Sequence, residues 1–206
     1  MTQLAFQNIR NLGANGNPKT PTPNLDALAA QGTRYTRHYA DASCSVARAT
    51  LMTGTSPAAH GLRPNHLGLS KGTPTIASML SQAGYQTQHI GKWHIASATL
   101  EQSPSQLGFD NWFGFLHNNE LGGPSVDGIK YRFPTYYNPW LHDNESSLEQ
   151  YSGHLTDILT QRAIEFLEQQ KGRSQPWFLN LWHYAPHAPI QPSGKFRDKY
   201  PATKEG

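Results

Sequence analysis

Cysteine is almost absent from this 206-residue sequence: Cys44 is the only one, so no intramolecular disulfide can form and cysteine pairing says nothing about the redox compartment. Charge is scarce too. Asp, Glu, Lys and Arg make up 15% of the chain, against the roughly 25% usual in globular proteins. A hydrophobic content of 36% and an aromatic content of 11% exclude a disordered polar tail. The net charge is only +3, and the 17 Lys and Arg are scattered singly, with no basic run of the kind that tracks a phosphate backbone. Nucleic acid is therefore not expected as a partner, whereas a small anion is compatible. No apolar run approaches the roughly 18 residues of a membrane span, so no membrane partner is expected either. The opening MTQLAFQNIRNLG lacks the basic start and apolar run of a signal peptide, so none is expected in this chain. There is no internal repeat, and the length argues for one domain with one sizeable core.

What is present is an order of helix signal, strand signal and polar motif that occurs three times. Thr22 and Pro23 open a helix as N-cap and first-turn proline, Leu25, Leu28 and Ala29 form its apolar stripe, and Gly32 closes it. Residues 33–40 then read as a strand, and Cys44 follows. Thr73 and Pro74 repeat the cap, Ile76, Met79 and Leu80 repeat the stripe, and Gly84 precedes the β-favouring run 85–90. Gly91, Lys92, Trp93 and His94 come directly after. A third helix is expected over 155–170, with Leu155, Ile158, Leu159, Ala163, Phe166 and Leu167 on one face. The apolar strand 177–182 follows it, then His183 and APHAP with His187. This is the pattern of an α/β fold, a mostly parallel sheet flanked by helices. In open α/β sheets ligands bind beyond the carboxyl ends of strands, so the three polar motifs are expected to converge. Residues 101–150, rich in Gly, Pro, Asn and aromatics, read as a long ordered excursion on the substrate side. Its aromatics from Trp112 to Trp140 are candidates for a stacking platform.

Cys44 begins CSVARATLMTG, where a polar loop enters a helical segment. Cys44 and Arg48 then lie near a helix N-terminus, whose amide dipoles and guanidinium favour anions. By itself a lone cysteine beside small residues is more often a buried packing residue. Of the remaining histidines, His60 reads as part of a structural turn. His38, His66, His89, His117, His142, His154 and His183 have no metal-ligand spacing and are assigned no chemistry.

CSVARATLMTG resembles the signature of the formylglycine-dependent (type I) sulfatase family of the alkaline phosphatase superfamily, with Cys44, Arg48, Thr53 and Gly54 on the signature positions. TPNLDALAAQG, the segment 91–94, GFDNWFGF and APHAP extend the resemblance from about residue 11 to the end of the chain. It implies a sulfatase-like fold and hydrolysis of sulfate esters of small molecules or carbohydrates. It also implies that a formylglycine-generating enzyme oxidises Cys44 to formylglycine, whose hydrate is the nucleophile. By the same resemblance Arg48 holds the hydrate, Lys92 binds the sulfate, His94 lies beside the diol, and His187 lies near the leaving oxygen, to which it can donate a proton.

The family's metal is usually Ca2+, held by the formylglycine at the Cys44 position and by carboxylates, two of them on the first strand. Here the matching positions are Ala5 and Phe6, and the later Asp, Asn and Lys positions have no counterpart. The expectation is therefore a partial sulfatase catalytic domain over 1–206, incomplete in its first strand and C-terminal part. Val46 stands where the modification signature prefers Pro or Ala. Complete family members are expected to be periplasmic or secreted. Two alternatives stay open, a phosphonate or phosphate ester hydrolase of the same superfamily and a non-catalytic remnant.

Overall fold

The structure, a computed structural model, describes residues 13–16, 21–35, 37–63, 68–95, 100–124 and 133–197. Ala5, Phe6 and His66 lie outside the described residues. The chain packs as two compact units, one of residues 1–40 and 192–206, the other of residues 41–191.

Described residues of the first unit form a 3-10 turn at Gly13–Asn15 and the helices α1 (Pro23–Gln31) and α6 (Gly194–Arg197). Thr22 does precede α1, but its hydroxyl makes no helix cap. It donates to Asp26 Oδ1 at 2.8 Å and accepts from the Gly13 N–H at 2.9 Å. The expected apolar stripe is not buried: Leu25 is 50% and Leu28 67% exposed. Among its described residues this unit has no sheet against which such a stripe could pack. The strand expected over 33–40 is likewise not found at 33–35 or 37–40. A strand needs a ladder partner, and no described residue forms a ladder with 33–35 or 37–40.

The second unit holds the helices α2 (Cys44–Thr53), α3 (Pro57–His60), α4 (Ile76–Gln82) and α5 (Leu155–Gln170). Its five strands are β1 (Gln86–Lys92), β2 (Asn111–Phe115), β3 (Trp140–Asp143), β4 (Glu149–Gln150) and β5 (Trp177–Trp182), in the spatial order β4-β3-β2-β1-β5. β1 runs parallel to β2 and β5, while β3 and β4 add an antiparallel margin. The sheet is thus mixed, and its parallel part holds the expected strands 85–90 and 177–182 as β1 and β5, with β2 as a third strand the sequence order did not foretell. Pleat alternation divides the core in two. Trp112, Trp93 and Trp182 join Val46, Ala49 and Met52 of α2 and Ala77 of α4 in one cluster. Phe113, Phe115, Ile90 and Leu141 join Leu155, Leu159 and Ala163 of α5 in the other.

α5 and β5 fall where their periodicity put them. α4 does not start at Thr73 and Pro74, because Thr75 wins the cap: its hydroxyl accepts from Ser78 N–H and the Ser78 hydroxyl accepts from Thr75 N–H. Nor does α4 bury Ile76 and Met79, which are 38% and 56% exposed. It rests on its small side instead, where Ala77 is buried and Gly108 packs so closely on Ser78 that a Cβ would collide with the backbone. Residues 101–150 are not an excursion, since they supply β2, β3 and β4. Trp112, Phe113, Phe115 and Tyr136 are core residues, which excludes them from a stacking platform. β2 reads NWFGF with four consecutive buried residues, and a strand covered on both faces shows no alternation.

Two glycines let the parallel strands close up. Gly91 has φ +107, and a Cβ there would strike the Trp182 carbonyl; a Cβ on Gly114 would strike the Gly91 carbonyl. Gly72, with φ +80, has open space around it. Gly91→Ala is expected to cost about 3 kcal/mol or more, against roughly 1 kcal/mol for Gly72→Ala, from strain alone; urea titration of both variants checks the contrast. His89 gives a second prediction. It is fully buried on β1, accepts from Asn180 Nδ2 at 3.0 Å, and is pushed down to about 3 by burial first and by the Arg48 charge second. A histidine favoured neutral in the fold contributes stability above its unfolded pKa of 6.5 and loses it as pH falls toward the folded value. Its share of acid sensitivity approaches about 1.4 kcal/mol per pH unit below that point. Denaturation at stepped pH should show this slope, and His89→Gln should flatten it.

Candidate functional site

Ser43 has extended backbone (φ −105, ψ 138), so the helical run starts at Cys44, and Gly54 ends it in the left-handed region with its N–H on Thr50 O. Asp41, in the loop before the helix, accepts from the Thr50 hydroxyl at 2.7 Å, which ties that loop back onto α2. His60, the last residue of α3, meets the same hydroxyl at 3.1 Å and accepts from Leu62 N–H, as the turn role expected of it requires. Cys44 is half-buried at the first turn of α2; one turn on, Arg48 points into the core and is 3% exposed.

Where β1 ends, the chain turns toward Cys44. Lys92 is 1% exposed, and its Nζ lies 3.9 Å from Cys44 Sγ. His94 Nδ1 lies 3.0 Å from the same sulfur. His94 takes φ +56, a left-handed conformation unusual for a residue with a Cβ. Trp93 N–H bonds Phe115 O and His94 N–H bonds Leu116 O, continuing the β1–β2 ladder through this turn. Arg48 Nη1 donates to the Lys92 carbonyl at 2.9 Å, and its guanidinium lies 4.4 Å from the centre of the Trp182 ring. The structure thus brings together Cys44, Arg48, Lys92 and His94 from two separate motifs.

Burial dominates the electrostatics. It pushes Arg48 down to about 10 and Lys92 down to about 8, against an opposing pull from Cys44 in both cases. Arg48 lowers Lys92 further. His94 is pushed down to about 3 by burial first, then by the charges of Lys92, His117, Arg48 and His187. Such a crowd of desolvated donors gains most from an anion that neutralises it.

His187 joins the group through Tyr184. The two rings stack at 4.7 Å, and Lys92 Nζ lies 5.5 Å over the Tyr184 ring. A carbonyl can only accept, so the 2.7 Å contact of His187 Nδ1 with Ala188 O places the proton on Nδ1. Nε2 then accepts from Asn118 Nδ2 at 3.5 Å. Tyr184 OH donates to the same Ala188 carbonyl, and Tyr136 OH donates to His187 O. Sequence reasoning missed Trp182, Tyr184 and Asn118, and set aside His117, whose ring meets His94 edge-on at 5.2 Å. Tyr184 carries a signal, being placed between the strand 177–182 and APHAP; Asn118 carries none, because β2 before it was not recognised.

The described residues do not fit a divalent metal. Among them no group of three or more His, Cys, Asp or Glu could hold one. The side chains on Cys44 Sγ are an amine and an imidazole, whereas calcium takes roughly six to eight oxygen ligands.

A family model described as Sulfatase matches residues 3–206. The chain is 33% identical to mouse N-acetylgalactosamine-6-sulfatase over 90% of its own length and 39% of that protein's. It is also 33% identical to rat arylsulfatase G, covering 87% of this chain and 39% of the relative. Among solved structures, Ps i-CgsB in complex with a neocarrahexaose is similar at a TM-score of 0.79 and 29% identity, over 95% of this chain and 47% of that one. A protein solved with its substrate D-glucosamine-2-N,6-O-disulfate is similar at 0.72 and 29% identity, over 95% and 36%. The chain spans 39% of the length of the curated relatives named here. With a family model over almost all of its residues, sulfatase relatives and a sheet that superposes on these structures, the chain belongs to the sulfatase family.

Proposed function

We propose that this chain carries the nucleophile and anion cradle of a sulfate-ester hydrolase, with Cys44 oxidised to formylglycine by a separate generating enzyme. The observation that supports this most is the approach of Lys92 Nζ and His94 Nδ1 to within 3.9 Å and 3.0 Å of Cys44 Sγ, the atom that oxidation replaces with oxygen. In the hydrate, one hydroxyl oxygen attacks sulfur and gives up its proton to solvent, while the S–O bond to the alcohol breaks with its electron pair on the alcohol oxygen, which is protonated as it leaves. Loss of the proton from the second hydroxyl then re-forms the C=O bond and expels sulfate.

Each side chain has a role its surroundings suit. The Lys92 ammonium faces the negative oxygens of the sulfuryl group from a site dry enough to strengthen the attraction. Arg48 holds the Lys92 carbonyl and lends its charge from below. His94, favoured neutral, is able to take the proton of the second hydroxyl. His187 presents Nε2 as a lone pair in the resting state, so it gains a proton before delivering it to the departing alcohol. Family membership also implies Ca2+, for which the described residues offer no group of three or more ligands. As substrate we favour a carbohydrate sulfate. The support is the neocarrahexaose and the glucosamine disulfate bound by the two similar structures.

In protein isolated from its source, the Cys44 peptide should be lighter by the exchange of sulfur and two hydrogens for one oxygen, and should react with hydrazide. That protein should release sulfate from an aryl or sugar sulfate faster than phosphate from the matched phosphate ester. Cys44→Ala should abolish the release, and Lys92→Ala should lower kcat by roughly 10²- to 10³-fold. An intact Cys44 thiol together with no sulfate release, with or without added calcium, would overturn the reading.

A further inference from the structure

The 3-10 turn Asn118–Gly122 follows β2, and its N-cap and first residue touch both histidines of the site. His117, its N-cap, meets His94 edge-on at 5.2 Å and 75°. Asn118, the next residue, donates from Nδ2 to His187 Nε2 at 3.5 Å, and its Oδ1 is buried with no hydrogen-bond partner. The turn is itself fastened. One carboxylate oxygen of Glu120 accepts from Leu116 N–H at 2.7 Å and from His117 N–H at 3.3 Å, and His142 Nε2 lies 3.9 Å from that oxygen. His117 Nδ1 accepts from Asn119 N–H at 3.4 Å, which fixes the ring's rotation at the entrance to the turn. The Leu116 carbonyl holds the His94 backbone at 3.0 Å, so the same short stretch grips His94 through main chain and ring alike.

We propose that His117 and Asn118 are positioning residues that set the two imidazoles of the site together, His117 by edge contact with His94 and Asn118 by donating to His187 Nε2. The inference rests on the sulfatase reading for its consequence, though not for its geometry. Asn118 matters because an imidazole with one nitrogen on a carbonyl has its tautomer fixed, and the partner of the other nitrogen decides whether that tautomer is reinforced or opposed. A carboxamide NH2 reinforces it. A carboxylate in the same place opposes it, since it demands a proton on Nε2. The unpartnered Oδ1 is consistent with this orientation: turning the amide to satisfy it would set its oxygen against the Nε2 lone pair.

The test uses the full chain labelled with 15N-histidine and reads tautomers from long-range 1H–15N spectra, which needs no turnover. In the unchanged protein His187 should show the Nδ1–H pattern. Asn118→Leu should give a mixture of both tautomers, and the isosteric Asn118→Asp should move His187 to an Nε2-protonated form. His117→Ala should shift the His94 ring signals, and His117→Phe, which keeps an aromatic edge there, should restore them. In turnover assays Asn118→Leu and His117→Ala should each lower kcat by roughly 10- to 100-fold with little change in KM. His187 signals unaltered in Asn118→Asp, or His94 signals unaltered in His117→Ala, would overturn the corresponding half. If the unchanged protein turns over no sulfate ester, the functional reading falls while the spectra still decide the positioning.

Discussion

Everything at the site depends on one buried cation. Arg48 leaves the first turns of α2, lies across the Trp182 ring of β5, and donates to the carbonyl at the end of β1. It thereby joins the helix that carries Cys44 to two neighbouring parallel strands. Burial opposes its charge, as its lowered pKa shows, and a desolvated guanidinium with few acceptors is expensive to bury. The cost is tolerable because the ring face and the carbonyl share it. Removing either compensation leaves a charge with nowhere to go, so the packing of the core and the geometry around Cys44 are energetically one object.

The two glycines complete that object. Gly91 and Gly114 let β1 approach β5 and β2 at the level where the strands end. Lys92, the last residue of β1, and the two residues after it are consequently delivered to the same height as the start of α2. Side chains at this height come from separate stretches of sequence, and only the strand register brings them within contact of one sulfur.

Legibility in the sequence followed the physics of each element. α5 and β5 declared themselves because each packs one face on a sheet, or buries one run within it, and the periodicity records that. The Cys44, Lys92 and His94 cluster was legible through motifs at strand and helix ends. What stayed hidden was decided by neighbours. Thr75 outcompeted Thr73 for the cap because Ser78 could reciprocate. The stripe of α1 was misleading because amphipathic spacing states what a helix offers and not what is there to receive it. β2 was concealed by being covered on both faces, and with it went Asn118 and the reason for giving His117 a role.

His94 stands in a backbone conformation that asparagine or glycine would adopt at less cost. The Leu116 carbonyl on its N–H pins that conformation, so a loosened β2 margin would let the His94 backbone relax and swing its ring away from the sulfur.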